Sequence, residues 1–163
     1  MGDEAGTEPP REAQPIPFRR ALATRLGATI AIDPRERDLK DVQAELGMVE
    51  GFDVALEMSG NAKALRTAIA NMAHGGRIAL LGLPTAEIQL DLNELIFNQL
   101  TLRGIYGREM YETWYKMTVL VRSGLDVRPV ITHRFPFREY EAAFAAARSA
   151  ESGKVIMDWT AAA

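Results

Sequence analysis

FDVALEM (52–58) and RIALLGL (77–83) decide the fold class of this chain, because each is a short apolar run of strand length preceded by glycine. Amphipathic segments with helical spacing separate these runs from each other and from a third run, LTLRGIY (100–106). Strands that alternate with helices are typical of a parallel sheet with crossover helices. The sequence therefore predicts an α/β fold of the Rossmann-type, doubly wound class.

The remaining elements of this region are predicted from apolar spacing and from capping residues. FRRALATRLG (18–27) has the spacing of the last turns of a helix, with Gly27 just after its end. ATIAID (28–33) predicts a further short strand. We expect a helix from Asp38 to Gly47 and one that begins at Ser59 or Asn61 and ends at Gly75–Gly76. We also expect a short helix around Leu92 to Asn98 and a helix in ETWYKMTVLVRSG (112–124) that ends before Gly124.

The two ends of the chain differ in composition from this middle region. Residues 1–17 contain Pro9, Pro10, Pro15 and Pro17 among scattered acids, which predicts a disordered tail. Near the other end, VITHRF (130–135), an Ala-rich helix and KVIMDW (154–159) predict a hairpin-like β-α-β segment. This segment need not join the first sheet.

Composition excludes several classes of protein. The chain has 22 acidic and 19 basic residues and a net charge of −3, without a long basic run, so nucleic acid is excluded as a partner. No window approaches the roughly 18 to 20 uncharged apolar residues of a membrane span, so we expect no membrane partner. The acidic, proline-rich start is unlike a signal peptide, which leaves the cytoplasm as the expected location.

Candidate binding residues follow the predicted strands, because ligands of open α/β sheets lie at the carboxyl ends of the strands. Three clusters occupy such positions: Ser59–Asn61, Leu81–Pro84 and Ile105–Arg108. Each cluster contains a glycine, which lets a ligand approach the backbone closely, although glycine after a strand also simply makes a turn. We expect Tyr106 to line a pocket, whereas Tyr111, Trp114 and Tyr115 have the helical spacing of packing residues.

Other catalytic and metal-binding patterns are missing from the sequence. Without cysteine, the chain has neither disulfides nor a Cys-based zinc site. His74 and His133 have no companions at metal-ligand spacing, so we expect His74 to end a helix and His133 to make a structural hydrogen bond. No G-x-G-x-x-G loop follows a strand, and Gly2 and Gly6 lie in the tail. We therefore name no catalytic residue and no metal ligand.

Five stretches of sequence carry a resemblance to a known family. They are GFDVALEMSG (51–60), GGRIALLGLP (75–84), GIYGREMYETWYKM (104–117), PVITHRF (129–135) and SGKVIMDW (152–159). From about Arg19 to Thr160 the chain resembles the bacterial L-threonine 3-dehydrogenases, within the zinc-dependent medium-chain alcohol dehydrogenase superfamily. The strand patterns recur across that superfamily, whereas GIYGREMYETWYKM is much more specific to the threonine enzymes.

The resemblance implies a domain organisation and a set of cofactor contacts. Residues 18–127 would be the later part of an NAD-binding Rossmann domain, and 128–163 a segment that returns to the catalytic domain. Leu81, Gly82 and Leu83 match the family's contact with the nicotinamide side of NAD, and Ile105 and Tyr106 match its next contact. Arg19 matches the arginine beside the adenosine ribose.

The chain also departs from the family pattern. Gln14 falls where the ribose-binding aspartate is expected, the glycine-rich loop would precede Met1, and the zinc ligands are absent from this chain. We therefore expect weak NAD binding and no catalysis by the chain alone.

The resemblance implies oxidation of L-threonine to 2-amino-3-ketobutyrate with NAD as hydride acceptor, in a homo-oligomer that binds this small-molecule substrate. Two alternatives remain open: a non-catalytic interaction or oligomerisation module derived from such an enzyme, and a zinc-free medium-chain reductase.

Overall fold

The predicted alternation of strands and helices is present in a computed structural model, which describes residues 15–160. In chain order the elements are α1 (Pro17–Arg25), α2 (Leu39–Glu45), β1 (Phe52–Glu57), α3 (Ala62–Ile69), β2 (Met72–Leu80), α4 (Leu92–Phe97), β3 (Thr101–Gly104), α5 (Glu112–Arg122), β4 (Ile131–Pro136), α6 (Tyr140–Arg148) and β5 (Lys154–Asp158). Short 3-10 turns occupy Arg128–Val130 and Phe137–Glu139.

The first sheet is parallel, with β2 between β1 and β3. Ile78 in the central strand lies opposite Ala55 of β1 and Leu102 of β3. A helix connects each pair of neighbouring strands, as parallel pairing requires. The predicted α/β class with a Rossmann-type parallel sheet is therefore confirmed.

The hydrophobic core of this sheet lies on one of its faces. Ile78 and Val42 are its most deeply buried large side chains, each 1% exposed. The rest of the buried cluster comes from α2, α3, β1, the start of β2 and the chain before α2: Ile32, Leu39, Phe52, Ala55, Leu65, Ala68, Ile69 and Met72. On β1, Val54 and Leu56 are 46% and 53% exposed, because in a strand they point away from buried Ala55 and Glu57.

Two predicted helix caps are confirmed. The Asp38 side chain accepts a hydrogen bond of 2.8 Å from the Lys40 amide at the start of α2. Of the alternatives Ser59 and Asn61, it is Asn61 that caps α3, since its Oδ1 accepts from the amides of Lys63 and Ala64.

The predicted boundary between α3 and β2 is wrong. The helix ends at Ile69 rather than at the glycine pair, and His74 lies inside β2 instead of ending a helix. The Asn71 carbonyl oxygen accepts hydrogen bonds from the Phe52 amide and from the Gln43 side chain. These bonds bring the chain into the sheet, with Met72 in register with Phe52. Pairing with a distant strand thus overrides the local helical pattern.

The expected strand at 28–33 is reduced to a single bridge residue, Ile32. The next residue, Asp33, turns the chain, because its Oδ1 accepts a hydrogen bond of 3.0 Å from the Arg35 amide. Its carboxylate also pairs with the Arg35 guanidinium at 2.7 Å. Ile32 nevertheless packs in the core.

The last residues form a second sheet, as the sequence allowed. β4 and β5 pair in parallel, connected by α6, so the segment is a β-α-β unit and not a hairpin. Gly153 lies so close to this sheet that a Cβ atom there would be 2.6 Å from the Val130 carbonyl oxygen. The expected packing of Tyr111, Trp114 and Tyr115 is wrong for this structure, since all three side chains are exposed and no residue of α5 is buried.

The chain divides into two compact units. Of the described residues, one unit comprises Pro15 and 28–106, and the other comprises 16–27 and 107–160. The division expected from the family, with segments 1–17, 18–127 and 128–163, stays a prediction, and most of the expected tail lies outside the described residues. Among the helices described, none has both the length and the apolar character needed to cross a bilayer.

We expect Ile78→Ala to destabilise the first unit by about 2–5 kcal/mol, because it opens a cavity at the centre of the sheet. Ile96→Ala is the matched control, since Ile96 is exposed on α4. Urea unfolding followed by circular dichroism measures both. Equal midpoints for the two variants would contradict the placement of Ile78 in the core.

Candidate cofactor site

The carboxyl ends of β1, β2 and β3 bring residues of all three predicted binding clusters to one end of the sheet. The amides of Leu81 and Gly82 donate hydrogen bonds of 2.8 and 3.1 Å to the Glu57 carbonyl oxygen at the end of β1. The Ile105 amide donates a bond of 2.8 Å to the Leu80 carbonyl oxygen at the end of β2. The predicted contacts at 81–83 and 105–106 thus follow neighbouring, paired strands.

Glu57 is a residue of this region that the sequence analysis did not single out. It is only 4% exposed, and its Oε1 accepts hydrogen bonds from the Ser59 amide (2.8 Å), the Ser59 hydroxyl (2.5 Å) and the Gly60 amide (2.9 Å). Its Oε2 lies 3.1 Å from the same Gly60 amide. The strand period held a signal for it, because Glu57 has the same parity as buried Ala55.

The turns after β1 and β2 are in close backbone contact. A Cβ atom on Gly82 would lie 1.9 Å from the Gly60 nitrogen, and one on Gly60 would lie 2.4 Å from the Leu83 carbonyl oxygen. Gly60 also has a φ of +71°, which disfavours other residues. Glycine is therefore required at both positions by the packing of the two turns.

The side chains beside these turns form an open apolar surface. Leu83 and Tyr106 are 81% and 93% exposed, while Leu81 and Ile105 are each 40% exposed. An exposed tyrosine ring and leucine side chain can contact a flat aromatic ligand without rearrangement of the core. Arg19, the predicted ribose contact, lies half-buried on α1 in the other unit, and Gln14 lies outside the described residues.

The described residues do not fit a zinc ion. No group of three or more His, Asp or Glu side chains in 15–160 is arranged to hold a metal. His74 is exposed on β2, and the Nδ1 atom of His133 lies 2.9 Å from the Thr132 hydroxyl. The Thr132 hydroxyl in turn accepts a hydrogen bond from the Gly153 amide, which links β4 to the start of β5.

One carboxyl group with a shifted pKa lies in the second unit, before β4. Side-chain hydrogen bonds from Arg128 to Asp126, at 2.7 and 2.8 Å, lower the pKa of that carboxyl to about 2. The same contact raises the pKa of the Arg128 guanidinium. Both side chains are exposed, and the pair lies in the turn that precedes β4.

We expect Gly82→Ala to destabilise the first unit by at least about 1–3 kcal/mol, because the new methyl group meets backbone atoms of Ser59 and Gly60. Gly104→Ala is the matched control, since a Cβ atom there meets nothing within 4 Å. The control should change the free energy of unfolding by no more than about 0.5 kcal/mol. Chemical unfolding measures both, and an unaffected Gly82→Ala variant would refute the close contact of the turns.

The chain is similar to dehydrogenases in both sequence and structure. The L-threonine 3-dehydrogenase of Solibacter usitatus is 57% identical over 143 residues, which are 88% of the chain and 42% of that relative. The enzyme of the same name from Saccharopolyspora erythraea is 56% identical, over 87% of the chain and 41% of that relative. A solved alcohol dehydrogenase of Thermotoga maritima matches 86% of the chain and 40% of that protein, at 25% identity and a TM-score of 0.73.

The predicted resemblance to L-threonine 3-dehydrogenases is thus confirmed, and the chain spans about two fifths of the length of these relatives. Residues 13–123, more than half of the chain, match the family model described as zinc-binding dehydrogenase. Together with the parallel α/β sheet, this match shows that the chain belongs to the zinc-binding dehydrogenase family.

Proposed function

We propose that this chain is the nicotinamide-binding part of an L-threonine 3-dehydrogenase, in which Leu81, Gly82, Leu83, Ile105 and Tyr106 contact the nicotinamide side of NAD. The observation that carries the proposal is the open apolar surface at the carboxyl ends of paired strands β2 and β3. Ligands of open parallel sheets bind at such ends. The 57% identity to a relative of that name supports the choice of substrate.

In the proposed reaction, the hydrogen on C3 of L-threonine passes as hydride to the nicotinamide ring of NAD, the 3-hydroxyl group releases its proton to solvent, and C3 becomes a ketone carbon. This chain would contribute to that step by orienting the nicotinamide ring. The exposed side chains of Leu83 and Tyr106 would contact the ring, while Gly82 lets the backbone approach it without a side chain in the way. Arg19 as a contact of the adenosine ribose is part of the same proposal.

We further propose that the chain is inactive by itself. The described residues do not fit zinc, the metal of its family, so we assign no step of the reaction to a metal in this chain. Within 15–160, no G-x-G-x-x-G segment follows a strand to take the pyrophosphate of NAD. We also propose that the chain is located in the cytoplasm.

Two other functions are weaker candidates. An interaction or oligomerisation module is favoured by the absence of buried residues on α5. A zinc-free reductase is compatible with the lack of a metal cluster in 15–160, but the 56–57% identity to threonine enzymes favours the first proposal. Reduction of an aldehyde or ketone by NADPH with the purified chain would support the reductase.

We expect no threonine-dependent reduction of NAD by the purified chain, even with added zinc, because three protein ligands cannot be assembled from the described residues. The absorbance of NADH is the measurement, with a zinc-free sample as the control. Turnover that needs zinc and disappears with a chelator would refute the proposed inactivity.

We expect weak NAD binding, with contacts confined to the nicotinamide end. Isothermal titration calorimetry measures the affinity, and micromolar affinity would contradict this expectation. Because Gly82 substitutions disturb the fold, Tyr106→Ala is the better variant for locating the site, and Tyr115→Ala on α5 is its exposed control. Loss of binding only in Tyr106→Ala would support the proposed contact.

We also propose that the chain is a homo-oligomer that associates through β3, one of the two outer strands of the sheet. Unpaired donors and acceptors on such an edge pair readily with a second copy. Leu102→Pro removes a backbone donor, and Thr101→Lys adds charge on the same strand. We expect both variants to dissociate a discrete dimer or tetramer in light scattering, whereas Thr85→Lys in an exposed loop leaves it intact. A wild-type monomer at high concentration would refute the proposal.

A further inference from the structure

Glu57 contacts both turns of the candidate cofactor site, one through its side chain and the other through its main chain. Its carboxylate accepts hydrogen bonds from Ser59 and Gly60 in the turn after β1. Its carbonyl oxygen accepts hydrogen bonds from Leu81 and Gly82 in the turn after β2. We propose that Glu57 is a positioning residue that fixes Gly82 and Leu83 for contact with the nicotinamide ring, an inference that rests on the proposed cofactor site.

The Glu57 contacts suit a carboxylate better than an amide of the same size. A carboxylate only accepts hydrogen bonds, and its partners here are two amide N–H groups and one hydroxyl. Glutamine would replace one oxygen by an NH2 group. If that group takes the Oε2 position, 3.1 Å from the Gly60 amide, two donors face each other.

Gly60 lies directly against Gly82 and Leu83, two of the proposed nicotinamide contacts. With the backbone held fixed, a Cβ atom on Gly82 would be 1.9 Å from the Gly60 nitrogen and 2.6 Å from Glu57 Oε2. A Cβ atom on Gly60 would meet the Leu83 carbonyl group in the same way. Release of the Ser59–Gly60 turn therefore gives Gly82 and Leu83 room to move, while Ile78 at the centre of the sheet keeps its partners.

The test uses Glu57→Gln in the full chain, with Asp53→Asn as the matched control. Both substitutions remove one carboxylate from β1, but Asp53 is exposed. Amide hydrogen exchange is measured residue by residue by NMR, and nicotinamide mononucleotide is titrated into each sample at millimolar concentrations. Nicotinamide mononucleotide is the probe because it reports on the nicotinamide end even where the whole dinucleotide binds weakly.

We expect Glu57→Gln to accelerate exchange of the Ser59 and Gly60 amides by about tenfold or more, since charge-assisted hydrogen bonds are lost. The nicotinamide-induced shifts of Gly82 and Leu83 should disappear, while exchange at Ile78 stays unchanged. A purely structural role would accelerate exchange at Ile78 as well. Unchanged exchange at Gly60, or nicotinamide shifts equal to those of wild type, would overturn the positioning role.

Two further outcomes are informative. If Glu57→Gln does not fold, Ser59→Ala keeps the carboxylate but removes the hydroxyl that donates to Glu57 and accepts from the Asn61 amide, and it should weaken the shifts of Gly82 and Leu83 by a smaller factor. Wild-type shifts in Ser59→Ala would then overturn the proposal. If the wild-type chain shows no shifts at 81–83 and 105–106, the proposed cofactor site itself is wrong and the role of Glu57 falls with it. Failure in Glu57→Gln alone leaves that site standing.

Discussion

Two backbone hydrogen bonds join the Glu57 carbonyl oxygen to the amides of Leu81 and Gly82, and the strand-end region depends on them. They extend the pairing of β1 and β2 beyond the last residues of the strands, so that the following turns lie against each other. Glycine at 60 and 82 is a consequence of this contact, because any side chain would meet backbone atoms. Leu83, which is part of the open surface, lies in the second of these turns.

The strands of the first sheet and two helix caps were predictable because their signals are local. Phe52–Glu57 and Thr101–Gly104 fall within the predicted runs, and Asp38 caps its helix as expected. The start of β2 was not predictable from local spacing, since it depends on hydrogen bonds from Phe52 and Gln43 to the distant Asn71 carbonyl. The residues at the start of β2 have no periodic apolar pattern of their own that would indicate this pairing with a distant strand.

The candidate site was likewise predictable only in part. Its position followed from the general rule that ligands bind at strand ends, and in the structure Leu81–Leu83 and Ile105 follow the paired strands β2 and β3. The role of Glu57 was missed because an acid at the end of an apolar run resembles the polar limit of a strand. Only the parity with Ala55 indicated that it faces inward, and parity alone does not identify hydrogen-bond partners.

Burial of a carboxylate costs free energy because its hydration is lost, and the cost is large unless protein donors replace the lost water. At Glu57 that cost is offset by donors from the adjacent turn, which an apolar residue could not hold. An apolar side chain would leave the amides of Ser59 and Gly60 to find other acceptors, and the turn would lose its single conformation. The buried carboxylate of Glu57 therefore fixes the conformation of the Ser59–Gly60 turn, which lies beside the proposed contacts with the nicotinamide ring.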